Sequence, residues 1–271
     1  MIEKLLALAK QAGQIAMNNQ SQMDFFASRL KSADDVKSVV TKTDMEISDL
    51  CYDFIAREFA EMDYMIIEEE SIDKLGTYPM EKIRAAEYVF IIDPIDGTLP
   101  YSVGLPFYAV SIGVFKYGKP YAAVIYAPAL NTLVYADDNG VRYEQNALKR
   151  ELKPLSDEVG SAPLIALGSK FSISTDDIKV ITLNPYAGVL KLLYVATGQS
   201  TAATMSWKIW DFAGVYVLYS KLGIGVYKLS DSTEIDIFSD DTWDKRFKAR
   251  ETYLACRPKY FDQLQRAIYK I

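Results

Sequence analysis

The residue types that could carry out chemistry are concentrated in one short segment, Asp-Pro-Ile-Asp-Gly-Thr at 93–98, directly after the apolar run 88–92. The proline fixes its own φ and biases the preceding Asp93 towards an extended backbone. The carboxylates of Asp93 and Asp96 can therefore converge at the end of a strand. The carbonyl of Ile95 lies between them in the sequence and offers a further oxygen ligand, the type that Mg²⁺ prefers.

Gly97 and Thr98 follow these carboxylates and can supply an anion site. Glycine permits a positive φ and a close approach of the backbone. If a helical turn begins at Thr98, its exposed amides can receive a phosphate. The carboxylates could bind a cation, and the amides beside them could bind an anion. Together they predict a site for a magnesium-bound phosphate ester. Aspartate, proline and glycine are also common in turns, so the segment by itself leaves a simple strand-to-loop turn open.

The composition narrows the chemistry further. The chain has 271 residues, 30 basic and 36 acidic side chains, a formal charge of −6 and no histidine. A Ser-His-Asp triad, a Cys-His pair and a histidine-ligated zinc site are therefore excluded. Any metal must be held by oxygen atoms. The acidic balance argues against nucleic acid as a partner.

The sequence also predicts the cellular location of the protein. Two cysteines, Cys51 and Cys256, are too few for a disulfide framework and fit a reducing compartment. Glu3 and Lys10 bracket the short apolar run near the N-terminus, which is not the pattern of a secretory signal. A long uncharged stretch, 98–115, contains prolines and glycines and is a poor membrane span. We therefore expect a cytoplasmic protein that does not enter a membrane.

The elements that must position the acidic segment follow from the spacing of apolar residues. Helical spacing over 2–16 predicts an opening helix. Thr43 and Glu46 have the spacing of a capping box, which predicts a second helix with Asp44 at its first helical position. The run 88–92 predicts a buried strand that ends at the first carboxylate.

From residue 108 the chain is rich in β-branched and aromatic residues, and beyond the charged stretch 144–158 strands and helices are predicted to alternate. The predicted strands are Tyr108–Phe115, Lys119–Ala127, Thr132–Ala136 and Pro163–Leu167, and the predicted helices are Ala187–Ala196 and Asp211–Leu222. We predict an N-terminal metal-binding half at 1–140 and a C-terminal α/β half at 141–271.

The hexapeptide at 93–98 resembles the signature of the inositol monophosphatase family, part of the lithium-sensitive, magnesium-dependent phosphatase superfamily. Further segments are similar to motifs of that family in the same order: Thr41–Asp44, Glu68–Ser71, Pro106–Gly113, Tyr126–Ala129 and Trp210–Gly214. The similarity spans nearly the entire chain. It implies the α/β fold class, as an α-β-α-β-α sandwich of the inositol monophosphatase and fructose-1,6-bisphosphatase type. It also implies a homodimer, with a metal site between two α/β halves.

The resemblance implies the metal ligands. Two or three Mg²⁺ ions, which Mn²⁺ can replace, would be held by Glu69, Asp93, the Ile95 carbonyl, Asp96 and Asp211. Glu69 is preferred because the family's ligand is the first glutamate after a glycine, and Glu68 occupies that glycine's position here. This substitution leaves the choice between Glu69 and Glu70 open.

The resemblance also implies the roles of the catalytic residues. Thr98, with Asp44 or Glu69 nearby, would orient a water molecule for in-line attack on the phosphorus. The amides of Gly97 and Thr98 would bind phosphate oxygens.

The residues expected to contact the alcohol depart from the family pattern. Inositol-cleaving members carry an acidic residue where this chain has Thr204, and a hydroxyl there would bind a polyol less firmly. Lys191 ends a Leu-Lys pair similar to that of the branch that dephosphorylates 3′-phosphoadenosine 5′-phosphate, and it is a candidate for binding a second phosphate.

The expected function is therefore that of a magnesium-dependent phosphomonoesterase. Its partner would be a small phosphorylated substrate, either inositol monophosphate or a related polyol phosphate. Three alternatives stay open. They are a 3′(2′),5′-bisphosphate nucleotidase, a fructose-1,6-bisphosphatase, and a weakly catalytic regulatory binding protein on the same scaffold.

Overall fold

The computed structural model describes residues 1–23, 33–71, 79–154, 164–168, 171–173 and 181–270. The helices are α1 (Ile2–Ser21), α2 (Ala33–Glu58), α3 (Met80–Ala85), α4 (Thr98–Ser102), α5 (Gly188–Ala196), α6 (Ile209–Leu222) and α7 (Phe261–Ala267). The strands of the first half are β1 (Tyr64–Glu68), β2 (Tyr88–Asp96), β3 (Ala109–Lys116), β4 (Lys119–Ala127), β5 (Thr132–Asp137), β6 (Gly140–Gln145) and β7 (Leu148–Leu152). Those of the second are β8 (Leu164–Ala166), β9 (Phe171–Ile173), β10 (Ile181–Leu183), β11 (Ala202–Met205), β12 (Gly225–Lys228), β13 (Tyr253–Cys256) and β14 (Ile268–Lys270).

The strands form two main sheets. Strands β1 to β7 make a seven-stranded sheet in chain order, in which β1 and β2 are parallel and the remaining pairs are antiparallel. A five-stranded sheet has the order β10-β8-β11-β13-β12, and β14 pairs with β9 in a small separate sheet.

Helices and sheets alternate in layers. Helices α1 and α2 cover one face of the seven-stranded sheet, and α5 and α6 lie between the two main sheets. Helix α7 covers the outer face of the five-stranded sheet. The predicted α-β-α-β-α arrangement is therefore confirmed.

Strand β2 is central to this arrangement because both of its faces are covered. Phe90 and Ile92 pack towards α1 and α2, whereas Val89 and Ile91 pack towards α5 and α6. All nine positions of the strand are buried. A continuous apolar run without alternating polar residues is what such a doubly covered strand requires.

Two predicted boundaries were wrong. The strand predicted for 88–92 continues to Asp96, so the carboxylates lie within it rather than after it. Helix α2 begins at Ala33, so Thr43 is not its N-cap and Asp44 is not its first helical residue. The hydroxyl of Thr43 instead accepts a hydrogen bond from Asn19 Nδ2 at 3.2 Å, because α1 packs against α2 there. Capping-box spacing alone therefore misplaced the start of this helix.

Most other predicted elements were found with small shifts. The opening helix extends to Ser21, and the strand predicted for Lys119–Ala127 has those bounds. Tyr117 and Gly118 form the turn before it, both with positive φ. The first sheet continues to Leu152, beyond the predicted division at residue 140, and that division stays a proposal.

Among the described residues no helix is long and apolar enough to cross a membrane.

Helix α6 approaches β3 closely at Gly113, and this contact gives a testable prediction. A Cβ at Gly113 would lie 2.7 Å from the carbonyl carbon of Ala213 and 2.8 Å from the nitrogen of Gly214. These are backbone atoms that cannot rotate away, so we expect Gly113→Ala to lower the free energy of unfolding by about 1–3 kcal/mol. Urea denaturation measures this change.

Gly168→Ala is the matched control, because the nearest atom to a Cβ there lies 3.6 Å away. A Gly113→Ala protein as stable as the Gly168→Ala protein would contradict the close packing of α6 on β3.

Candidate active site

A β-bulge at the end of β2 brings two carboxylates to the same side of the sheet. Asp93 is opposite Ser111 and Asp96 is opposite Ala109, so three steps along β2 match two along β3. Side chains alternate in a regular strand, and residues three apart would point to opposite faces. The extra residue in the bulge reverses this alternation, and Pro94 fits there because it needs no ladder hydrogen bond.

The start of helix α5 fixes the carboxylate of Asp96. Its Oδ1 accepts the backbone N–H of Gly188 at 2.7 Å, and its Oδ2 accepts that of Val189 at 2.8 Å. These amides are unsatisfied within the helix, and a carboxylate there also interacts favourably with the helix dipole. A Cβ on Gly188 would lie 3.1 Å from Asp96 Oδ1, so a glycine allows this close approach.

The start of helix α6 supplies the third carboxylate. Asp211 lies in the first turn, and its Oδ2 accepts the backbone N–H of Lys208 at 2.7 Å. One ligand atom from each of Asp93, Asp96 and Asp211 lies within 4.8 Å of the others. The structure thus brings together residues that are more than a hundred positions apart in the sequence.

These carboxylates are strongly perturbed by burial and by one another. Burial and then the neighbouring acids raise the pKa of Asp93 well above its ordinary value. Burial and Asp211 raise the pKa of Asp96, against the lowering effect of the α5 amides. Burial raises the pKa of Asp211 to about 6. Buried acids at this distance need a cation between them to be ionised together.

Asp93 gives the most direct sign that a metal ion fits. It is only 1% exposed, and both of its carboxylate oxygens accept no hydrogen bond from the described residues. A buried charged group without partners is costly, and such groups usually coordinate metals or are paired. The cluster of Asp93, Asp96 and Asp211 can therefore hold a metal ion through oxygen atoms.

Glu69 lines the same cavity as the aspartate cluster. It follows β1, whose last residue Glu68 is in register with Ile92 of β2, and it therefore lies near the acidic end of that strand. Burial, and then Asp211, raise the pKa of Glu69 to about 8. Glu70 is absent from the described lining residues of the cavity.

Asp44 lies within α2, close enough to these glutamates to feel their charge. Its side chain is buried and is not among the described residues lining the cavity. Burial, followed by Glu70, Glu69 and Glu68, raises its pKa to about 8. Asp44 therefore belongs to the same acidic surroundings without reaching the cavity wall.

The segment after the bulge forms the wall predicted to bind phosphate. Gly97 has φ +89°, and a Cβ there would lie 2.9 Å from the Cβ of Ala187. Helix α4 begins at Thr98, which meets the condition set for an anion site there, and Thr98 Oγ1 donates a hydrogen bond to the Ile95 carbonyl at 3.4 Å. Ile95, Gly97 and Thr98 all line the cavity.

The two residues predicted to contact the alcohol are buried and do not line the cavity. Thr204 and Lys191 are each 1% exposed and are not among the described lining residues. Thr204 Oγ1 accepts the N–H of Gly168 at 2.8 Å. Lys191 Nζ lies 3.6 Å from the ring centroid of Trp207. Burial lowers the pKa of Lys191 to about 7, against the opposing effects of Asp96 and Asp211.

Residues that were not among the predicted site residues complete the cavity, which has a volume of about 470 Å³. They are Leu99, Gly168, Phe171, Asn184, Tyr186, Gly188, Ser206, Trp207 and Lys248. A sequence signal existed for some of them. Asn-Pro at 184–185 is typical of a turn, and the small pair at 187–188 allows close backbone approach. For the others the sequence alone gave no signal.

A carboxylate cluster that could hold a metal ion, set beside a cavity in layered sheets and helices, is an arrangement suited to metal-dependent phosphoryl transfer. The chain belongs to the inositol monophosphatase family, whose model matches residues 1–259. This confirms the family predicted from the motifs.

Individual relatives are distant. The chain is 27% identical over 233 residues to the fructose-1,6-bisphosphatase/inositol-1-monophosphatase of Thermotoga maritima, covering 80% of each protein. It is also 27% identical over 236 residues to Nus factor SuhB of Escherichia coli, covering 82% of this chain and 83% of that protein. Its fold is similar to the crystal structure of inositol monophosphatase II from Staphylococcus aureus. That comparison has a TM-score of 0.73 at 19% identity and covers 97% of this chain and 93% of the other.

Proposed function

We propose that this chain is a magnesium-dependent phosphomonoesterase that hydrolyses inositol monophosphate or a related small polyol phosphate. The observation that carries the proposal is the aspartate cluster within 4.8 Å, with the buried Asp93 oxygens lacking hydrogen-bond donors among the described residues. The cluster adjoins a cavity large enough for a small phosphate ester.

The metal would be held by residues that reach this cavity. They are Glu69, Asp93, the Ile95 carbonyl, Asp96 and Asp211. When bound, Mg²⁺ or Mn²⁺ supplies charge that neutralises the phosphate and the leaving oxygen and lowers the pKa of a water molecule. The donor set consists only of oxygen atoms, which suits these hard cations.

Residues of the chain itself would orient the reactants. Thr98 Oγ1 donates to the Ile95 carbonyl, so its oxygen remains able to accept a hydrogen bond from an attacking water. Glu69 also lines the cavity and would accept a proton from that water, with Asp44 in the same acidic surroundings. The amides of Gly97 and Thr98 would bind phosphate oxygens. Such fixed groups stabilise developing charge without reorganisation.

A 3′(2′),5′-bisphosphate nucleotidase is the second candidate, and the surroundings of Thr204 favour it. No carboxylate is present at this position to bind a polyol, and the Thr204 hydroxyl already accepts the Gly168 N–H. Lys191 would bind a second phosphate only after movement of the side chains that cover it.

A homodimer and a cytoplasmic location also remain proposals.

Release of inorganic phosphate tests the proposed function. We expect Mg²⁺-dependent release from at least one of inositol 1-phosphate, fructose 1,6-bisphosphate and 3′-phosphoadenosine 5′-phosphate. Asp96→Asn should lower kcat/KM by about a hundredfold or more, because it removes a charge from the metal site. Asp53→Asn is the matched control, since Asp53 is exposed on α2.

Two results would contradict the proposal. Activity of Asp96→Asn within about tenfold of the parent would refute its metal-binding role. Absence of release from every ester with either Mg²⁺ or Mn²⁺ would favour the regulatory alternative, a possibility supported by the similarity to a protein named Nus factor SuhB.

A further inference from the structure

The cavity contains several acidic side chains and one basic side chain. Four carboxyl groups line it, those of Glu69, Asp93, Asp96 and Asp211. Lys248 is the only lysine or arginine among the described lining residues. It is exposed, and within the described part of the chain it forms no ion pair. An ammonium group in this position is available to an anionic ligand.

The backbone at Lys248 is fixed by a nearby aspartate. Asp244 Oδ1 accepts the N–H of Arg246 at 2.8 Å and the N–H of Lys248 at 2.9 Å. The N–H of Asp244 in turn donates to the carbonyl of Lys248 at 2.8 Å. Phe247 is buried in the core between the two main sheets and anchors the loop there. The point at which the Lys248 side chain leaves the backbone is therefore well defined.

The same loop pairs with the segment that leads into helix α6. Lys248 forms an antiparallel bridge with Lys208, and next to this bridge Ala249 donates its N–H to the Trp207 carbonyl at 2.7 Å. Trp207 lines the cavity, so these contacts tie the loop to the cavity wall. Residues that are directly opposite each other in an antiparallel pair have their side chains on the same side. The side chains of Lys208 and Lys248 therefore leave the backbone together.

Lys208 shows that this side of the bridge is close to the acidic cluster. Its charge lowers the pKa of both Glu69 and Asp211, against the larger raising effect of burial. Lys208 Nζ is already engaged, because it donates to the Arg246 carbonyl at 2.8 Å. Lys248 has no such acceptor among the described residues, and it is the lysine that lines the cavity.

Two lysines directly opposite each other are an unfavourable pair. Like charges at such positions repel each other and destabilise the pairing. The carbonyl that accepts from Lys208 has no formal charge and leaves the repulsion between the two ammonium groups in place. An anion bound at Lys248 would relieve this repulsion. The proposed function brings one such anion, a phosphate group, into the cavity.

We propose that Lys248 is a specificity-determining residue that binds the phosphate group of the substrate, and the inorganic phosphate that is released, at the mouth of the cavity. This inference rests on the proposed phosphatase function and deepens it. Lys248 lies outside all of the motifs that identify the family in this chain. A positive charge at the rim of a site speeds the association of an anion, and the effect weakens as ionic strength rises.

Calorimetric titration with inorganic phosphate in the presence of Mg²⁺ tests this contact without turnover. Lys248→Gln removes the charge, whereas Lys248→Arg keeps it. Lys245→Gln is the matched control, because Lys245 is an exposed lysine of the same loop and is not among the described residues that line the cavity. We expect Kd for phosphate to rise by about fivefold or more in Lys248→Gln, and to stay within about twofold of the parent in the other two variants.

Steady-state kinetics with the ester that is hydrolysed fastest give a second readout. Lys248→Gln should raise KM by about fivefold with kcat changed by less than about twofold, because the carboxylates and Thr98 are unchanged. Raising NaCl from about 50 to about 300 mM should lower kcat/KM of the parent more than that of Lys248→Gln, since the variant lacks the charge that salt screens. Differential scanning fluorimetry checks that the variants are folded.

The possible failures are distinguishable. If an ester is hydrolysed but Lys248→Gln leaves Kd for phosphate unchanged, or if Lys245→Gln raises it equally, this inference is overturned and the phosphatase function stands. A Lys248→Arg protein that binds phosphate as weakly as Lys248→Gln would also overturn it, since a role of the charge must survive that change. If no ester is hydrolysed but phosphate binding depends on Lys248, the phosphatase function fails and the phosphate contact stands. A parent protein that neither binds phosphate nor hydrolyses an ester would overturn both proposals.

Discussion

Asp93→Asn is expected to have two opposite effects, a loss of metal-dependent activity and a gain in the stability of the metal-free protein. Asparagine has nearly the same shape but no negative charge. Activity should fall by at least about a hundredfold, because a ligand in the acidic cluster is lost. Stability at pH 7 should rise because burial and the neighbouring acids raise the pKa of Asp93, so the metal-free protein must fold with this carboxyl protonated, and asparagine carries no such cost.

Phosphate release with Mg²⁺ and the melting temperature in EDTA at pH 7 measure the two effects on the same protein. A rise in melting temperature of several degrees is expected, whereas the exposed Asp53→Asn control should change neither quantity appreciably. A variant that is both inactive and less stable in EDTA would indicate that Asp93 serves folding rather than metal binding. An active variant would remove Asp93 from the site.

The contrast with Asp96 explains why Asp93 is the sharper test. Asp96 accepts hydrogen bonds from Gly188 and Val189, so it also fixes the start of α5. An asparagine at 96 would place an NH₂ group opposite one of those amides. The loss of activity expected for Asp96→Asn therefore combines two effects, the loss of a metal ligand and a disturbed start of α5.

The sequence predicted the chemistry better than it predicted the geometry. The two aspartates, the proline and the glycine at 93–98 are local, and their residue types alone indicate oxygen ligands beside a backbone turn. Their convergence depends on the bulge between Asp93 and Asp96, which is defined only by pairing with β3. Pairing partners are long-range information, and the apolar run alone gave no reason to extend the strand to Asp96.

The residues that the C-terminal part of the chain contributes to the site were harder to predict from the sequence, for the same reason. Asp211 could be predicted as a helix-start acid, but its position beside Asp93 requires α6 to lie against β3 at Gly113. Tyr186 and Trp207 lie outside any periodic pattern that would mark a cavity wall. Thr204 and Lys191 were singled out by their place in a motif, which does not reveal that Gly168 and Trp207 stand in front of them.

The same acidic cluster predicts how the stability of the metal-free protein depends on pH. Glu69 has a folded-state pKa of about 8 against an ordinary 4.5, and Asp44 has about 8 against 3.8. Between pH 5 and 7 the folded protein therefore binds more protons than the unfolded chain, and the free energy of unfolding must fall as pH rises. Lys191, with its pKa lowered to about 7 from 10.5, acts in the opposite direction only above pH 7.

We therefore expect the melting temperature in EDTA to fall by several degrees from pH 5 to pH 7, and saturating Mg²⁺ to raise it more at pH 7 than at pH 5. Metal binding displaces the protons that the buried carboxylates hold, so its affinity must increase with pH in this window. Glu69→Gln should flatten the slope in EDTA, because one of the groups responsible no longer titrates. A melting temperature that stays constant or rises from pH 5 to 7 without metal would show that these carboxylates are already ionised in the folded protein. The acidic cluster would then need no cation to be stable, and the physical argument for a metal site would fail with it.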